Sequence, residues 1–299
     1  MKKFFILVFA FAFVLVAGAS FANGGPEPGE AVYGLSISTL NNPFFVTLKE
    51  GAEAKAAELG VKLVIVDSQD DPAKEAVNME DIIQQEVDAI LVNPTDSDAI
   101  VPSIMKANAA KIPVLTIDRG AAGGEIVAHI ASDNVAGGKM AAEFLVEAIG
   151  GSGNVVELEG IAGTSAARDR GEGFNAVVGE TSGIVVVARQ TANFNRAEGL
   201  NVFENILQAQ SEIDGVFAHN DEMILGAIEA AKASGRTDIV FVGFDAIDDA
   251  TAAVQDGSLA ATVAQQPYMI GALGVETAYK YLKGESVSSS IPVDLALIK

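Results

Sequence analysis

From Val32 almost to the C-terminus, short apolar runs alternate with longer stretches in which apolar residues recur every third or fourth position. The runs are Val32–Ile37, Lys62–Val66, Ala89–Asn93, Pro113–Ile117, Ile126–Ala131, Asn154–Glu159, Ile184–Ala188, Gly215–His219, Ile239–Phe244 and Ala260–Gln265. Their length and β-branched content predict strands, and the stretches between them, such as Phe44–Gly60 and Asp221–Gly235, predict helices that stop at a glycine. Strictly alternating strands and helices give parallel sheets covered on both faces. Ten strands are many for one compact sheet, and the pattern restarts after Ser132–Gly138, so the expected fold is α/β with two doubly wound parallel-sheet lobes.

The N-terminus departs from this pattern. Lys2 and Lys3 precede an unbroken apolar run that ends in Ser20-Phe21-Ala22, with small residues where a signal peptidase reads them. Residues 1–22 are therefore expected to be a signal peptide cleaved near Ala22, with a linker over 23–30. The apolar core is short for a membrane span, and the absence of cysteine excludes disulfides, thiolate ligands, a cysteine nucleophile and a lipid-anchored cysteine. An untethered exported chain fits a periplasm. The formal net charge of −21 disfavours nucleic acid and anionic membranes as partners, and losing Lys2 and Lys3 takes it to −23.

In open parallel sheets, ligands bind beyond the carboxyl ends of the strands. There the sequence places Ser38, Asn41 and Asn42, then Asn93, Asp118 and Arg119, then His219, Asn220 and Asp221, then Phe244 and Asp245, and last Gln265 and Gln266. Each of the small polar residues also reads as a helix cap or turn former, and Asp221 stays in that role. Asp118-Arg119 and Phe244-Asp245 do not, because neither arginine nor phenylalanine caps a helix. Together they fit a polar ligand rich in hydroxyls. Phe44, Phe45, Phe194 and Phe244 sit at element ends or in loops, where a ring can pack on the C–H face of a sugar. For Phe44 and Phe45 a hydrophobic staple is an equally good reading.

Catalytic and cofactor signatures are missing. Asp133–Lys139 has Gly-Lys without the rest of a phosphate loop, Asp67–Pro72 has proline where a calcium loop needs glycine, and Gly163–Arg168 is no nucleophile elbow. His129 and His219 are too far apart in sequence for a helical metal pair. No enzyme activity, cofactor or metal is expected.

With these motifs in view, the chain resembles the ribose/galactose-type periplasmic binding proteins of ABC transporters. The likeness runs from about Val32 to Leu297 and is carried by "ISTLNNPFF", "DSQDDPAKE", "NPTDSDAI", "HIASDN", "GIAGTSAARDRGEGF", "NDEMILGA", "GFD" and "ATVAQQP". The resemblance implies a type I periplasmic binding protein with a three-crossover hinge. Its lobes would be 31–132 with 266–294 and 133–265 with 295–299. It implies D-ribose as the ligand, an inner-membrane ABC permease as partner, a chemoreceptor as a further partner, and a monomer. Carried over, the sugar contacts fall on Ser38, Asn42, Phe44, Phe45, Asn93, Asp118, Arg119, Arg170, Phe194, Asn220, Phe244, Asp245 and Gln265. Arg170 comes from the resemblance alone, since its surroundings read as the start of an amphipathic helix. Asn193 and Asn195 stand where relatives often have acids, and His219 where glutamine is common. Another small sugar, such as allose or a ribose-like signal molecule, and an exported sugar-modifying enzyme are the alternatives. A repressor would need an N-terminal DNA-binding unit where this chain has its export signal.

Overall fold

The computed structural model describes residues 31–299; the expected signal peptide and linker, residues 1–30, lie outside the described residues. All ten apolar runs form strands. The first group is β1 (Ala31–Ile37), α1 (Pro43–Leu59), β2 (Val61–Asp67), α2 (Pro72–Gln84), β3 (Ala89–Val92), α3 (Val101–Ala109), β4 (Val114–Ile117) and β5 (His129–Ser132). The second is α4 (Asn134–Ala148), β6 (Gly153–Glu159), α5 (Ser165–Glu180), β7 (Ile184–Thr191), α6 (Arg196–Ala209), β8 (Gly215–Ala218), α7 (Asp221–Ala233), β9 (Val240–Asp245), α8 (Asp248–Asp256) and β10 (Ala261–Ala264). The chain ends with α9 (Pro267–Leu282), β11 (Ser290–Val293) and β12 (Ala296–Ile298).

The strands form two six-stranded sheets, ordered β11-β5-β4-β3-β1-β2 and β12-β10-β9-β8-β6-β7. In each, the chain enters one strand in from an edge, adds that edge strand and then winds the other way, which places the carboxyl ends of the inner strands on one edge. Apolar clusters cover both faces: Leu35, Leu48, Leu91 and Ile270 on one side of the first sheet, Met79, Ile90 and Ile104 on the other. The second sheet has Val156, Phe203 and Ile224 on one face and Phe174, Phe217 and Val263 on the other.

The chain passes between sheets three times among the described residues, after β5, β10 and β11. All three crossings leave from the carboxyl end of a strand. After the first two crossings a helix, α4 or α9, brings the chain back so that β6 and β11 run parallel to their neighbours, whereas β12 follows its crossing directly and pairs antiparallel with β10. The sequence did not predict β11 or β12: β11 is a half-exposed edge strand containing Pro292, and β12 has only three residues.

Local chemistry sets the helix ends that matter to the cleft. Asn42 caps α1 by accepting from the Phe44 amide at 2.9 Å, Pro43 occupies the first turn, and Gly60 ends the helix in the left-handed region. Thr164 caps α5 by accepting from the Ala167 amide. Helices α4 and α5 then pack backbone against backbone. A Cβ at Gly138 would lie 2.1 Å from the Arg170 carbonyl oxygen, and one at Gly173 would lie 2.1 Å from that of Val135.

Candidate functional site

The strand ends of both sheets face each other across a small cavity. The first lobe contributes Asn42, Phe44 and Phe45 after β1, and Asp118 and Arg119 after β4. From the second come Ala166 and Arg170 on α5, Phe194 after β7, Asn220 after β8 and Asp245 at the end of β9.

Four of these side chains are charged and nearly inaccessible: Asp118 is 2 % exposed, Arg119 3 %, Arg170 3 % and Asp245 6 %. Asp118 lies 4.0 Å from Arg119, and Asp245 lies 3.6 Å from Arg170. Buried charge is tolerated only when compensated, and here two carboxylates face two guanidiniums, with Asp70 Oδ1 also 3.8 Å from Arg119 Nη1. Arg170 is fixed by donating from Nε to Asn134 Oδ1 at 2.8 Å and from Nη1 to the His219 carbonyl at 2.6 Å. Burial pushes the Asp118 carboxyl above its usual range against the pull of Arg119 and Arg170, and pushes Asp245 up to about 7 against the pull of Arg170 and Gln265. Burial likewise lowers Arg170, offset by Asp245 and Asp118. Asp118 Oδ2 accepts from Asn93 Nδ2 at 3.1 Å, while its Oδ1 has no protein partner.

The rings hold the guanidiniums. Arg119 lies between Phe45 of the first lobe and Phe194 of the second, 5.1 and 5.2 Å from the ring centroids. Arg170 stacks 3.9 Å above the Phe244 ring. Phe44 and Phe45 meet edge to face at 5.1 Å. Three wall residues take left-handed backbone without being glycine: Asp118 at φ 61°, Phe194 at φ 56° and Asp245 at φ 118°. Strain of this kind persists where the surroundings over-determine it.

Nine of the thirteen candidate residues line the cavity; Ser38, Asn93, Phe244 and Gln265 stand one layer behind it. Ser38 Oγ donates to Asn93 Oδ1 at 2.6 Å, and Asn93 donates onward to the Ile117 carbonyl and Asp118. Phe244, fully buried, is the floor under Arg170. Gln265 Nε2 donates to Asp245 Oδ1 at 2.8 Å. Asn42 and Asn220 have two duties, since each lines the cavity while its Oδ1 caps a helix. His219 faces away. Its Nδ1 accepts from the Gly160 amide at 3.3 Å, so its Nε2 carries the proton that faces Glu157 Oε1 at 3.0 Å. Burial disfavours the Glu157 charge, but His219, Arg189 and Asn175 outweigh it and hold the carboxyl below its usual range.

Sequence reasoning missed Ala166 and Gly160. Ala166 is a wall because it bears no more than a methyl group. Gly160 makes room for Phe194, whose ring comes within 2.0 Å of where a Cβ would stand. Neither carries a chemical signal in the sequence.

Residues 33–286 match the family described as periplasmic binding protein domain. The chain is 54 % identical over 264 residues to the ribose import binding protein RbsB of Haemophilus influenzae, covering 88 % of this chain and 90 % of that protein. It is 50 % identical over 298 residues to the RbsB of Escherichia coli, covering 100 % and 98 %. A solute-binding protein of an ABC transporter from Bacillus halodurans, solved with bound myo-inositol, superposes with a TM-score of 0.87 at 32 % identity, covering 92 % of this chain and 96 % of that one.

Proposed function

The chain belongs to the periplasmic binding protein family, and from that premise we propose that it captures D-ribose for an ABC importer. It binds its sugar and hands it on without chemical change, as a substrate-binding protein does. The observation that carries this reading is the set of buried carboxylates paired with buried guanidiniums, walled by Phe44, Phe45 and Phe194. A neutral polyhydroxy ligand leaves that pairing undisturbed, whereas an ionic one would add a buried charge without a counterpart. Asp118 and Asp245 accept from sugar hydroxyls, and Arg119 and Arg170 donate. Asn42, whose Oδ1 is engaged in a cap, offers its Nδ2 group, and Asn220, likewise a cap, offers the one Nδ2 hydrogen not donated to the Phe194 carbonyl. The rings pack on the C–H faces. Ser38, Asn93, Phe244 and Gln265 hold Asp118, Arg170 and Asp245 in place.

The moving bodies in this reading are residues 31–132 with 266–294 and residues 133–265 with 295–299. A sugar that touches both bodies binds the closed form better than the open one and shifts the population toward it. The closed form is what the permease receives. The leader over residues 1–22 delivers the protein to the periplasm, where it acts as a monomer and also serves a chemoreceptor. The near-full-length identity to the two ribose import proteins supports the choice of sugar.

Calorimetric titration of the mature protein against pentoses and hexoses, allose included, tests this. Ribose is expected to bind about tenfold or more tightly than the others, because a misplaced hydroxyl leaves buried polar groups unpaired. No heat with ribose and tight binding of another sugar would overturn the assignment.

A further inference from the structure

Beside the cavity, on one flank of the cleft, the lobes touch directly through residues outside the cavity wall. The Ser97 amide, after β3, donates to the Gly163 carbonyl, before α5, at 3.0 Å. The Gly120 amide, after β4, donates to Ser165 Oγ in the first turn of α5 at 2.8 Å. Ser97 Oγ donates to the Gly120 carbonyl at 2.8 Å, so the two loops of the first lobe meet the second as one unit. The approach leaves no room for a side chain: Gly163 sits at φ 90°, and a Cβ there would lie 2.0 Å from Asp96 Oδ2. Asp96 is itself held, its Oδ1 accepting from the Asp98 and Ala99 amides at 2.9 and 2.8 Å.

We propose that this flank is a latch: Ser165, with Ser97 and Gly120, positions α5 and sets sugar affinity without touching sugar. The inference rests on the reading that the cleft closes on a sugar. Helix α5 carries Ala166 and Arg170 to the cavity wall, so whatever docks its first turn onto the first lobe also delivers those two groups. The latch bonds join protein to protein, so they favour closure with or without ligand. Apparent affinity scales with the fraction of protein already in the binding-competent form. The α5 helix does not need the Ser165 hydroxyl for its own stability, because Thr164 supplies the cap.

The test is Ser165→Ala with Ser165→Thr beside it. The chain has no cysteine, so Val77→Cys on α2 and Glu204→Cys on α6, both exposed, give one dye site per lobe in the full chain. Without sugar, the dye-to-dye distance in Ser165→Ala is expected to shift from closed toward open. Its ribose affinity is expected to fall about threefold to tenfold, as loss of one hydrogen bond implies, through faster release. Ser165→Thr, which keeps the oxygen, restores both. If the parent binds ribose and Ser165→Ala matches it in distance and affinity, the latch is wrong and the ribose assignment stands. If the parent ignores ribose, that assignment falls, and the sugar-free distances still decide the latch. A lowered melting temperature of Ser165→Ala with unchanged distances also overturns it, because the hydroxyl would then serve the fold alone.

Discussion

At the scale of single residues, the cavity works by partnering each ionised group. Asp245 accepts from Gln265, faces Arg170 and, in the proposed complex, accepts sugar hydroxyls. Asp245→Ala removes a buried acceptor, and titration with ribose is expected to show a loss of about 2–3 kcal/mol, or roughly 30- to 150-fold in affinity; an unchanged affinity would mean that the sugar sits elsewhere. A second buried acid gives a pH signature. Glu75 is 1 % exposed and accepts from the Thr95 amide and hydroxyl at 3.2 and 2.8 Å, yet burial pushes its carboxyl up to about 7. A folded-state value above the unfolded one means that the native state holds the proton more tightly. The stability contributed at low pH is then lost as pH rises from about 4.5 to about 7. Against Glu75→Gln, which does not titrate, the parent should lose ground over that window and hold level above it, as urea midpoints at pH 5, 7 and 8 would show. Polar strand ends made most of the site legible in the sequence. Arg170 and Ala166 were not, because a residue inside a helix gives no sign of which neighbour its side chain will meet.

At the scale of elements, the apolar periodicity located the two helices it singled out, α1 and α7, and all strands of the described residues except β11 and β12, where edge exposure or three-residue length leaves no pattern to read. What periodicity hides is how closely elements approach. Gly137 and Gly138 resemble a fragment of a phosphate loop in the sequence, but both are packing surfaces. A Cβ at Gly137 would strike the Phe244 ring at 2.6 Å, and one at Gly138 the carbonyl of Arg170. Gly138→Ala is therefore expected to destabilise the fold by about 1–3 kcal/mol despite its better helix propensity, and to weaken ribose binding by pushing α5 and its Arg170 off position. Thermal melts and titration of one preparation check both; a stabilised variant would show that the helices can part without cost.

At the scale of the whole molecule, two lobes were readable from the restart of the strand–helix pattern, whereas the discontinuous lobe boundaries came only through family resemblance. Local patterns carry no information about which sheet a late strand joins. That late arrival has a consequence for how the chain acquires its fold. Helix α9 covers the α1 face, with Gly271 against the Leu48 carbonyl and Gly51 against that of Tyr268, and β11 completes the sheet beside β5. The first lobe to be synthesised is thus the one that waits. Its apolar face beside Leu48 and Ala52 has no cover until Pro267–Val293 exists, while the second lobe, continuous from α4 to β10, lacks only its edge strand. The order of folding is therefore expected to run against the order of synthesis, with the long-range closure of α9 on α1 as the slow step.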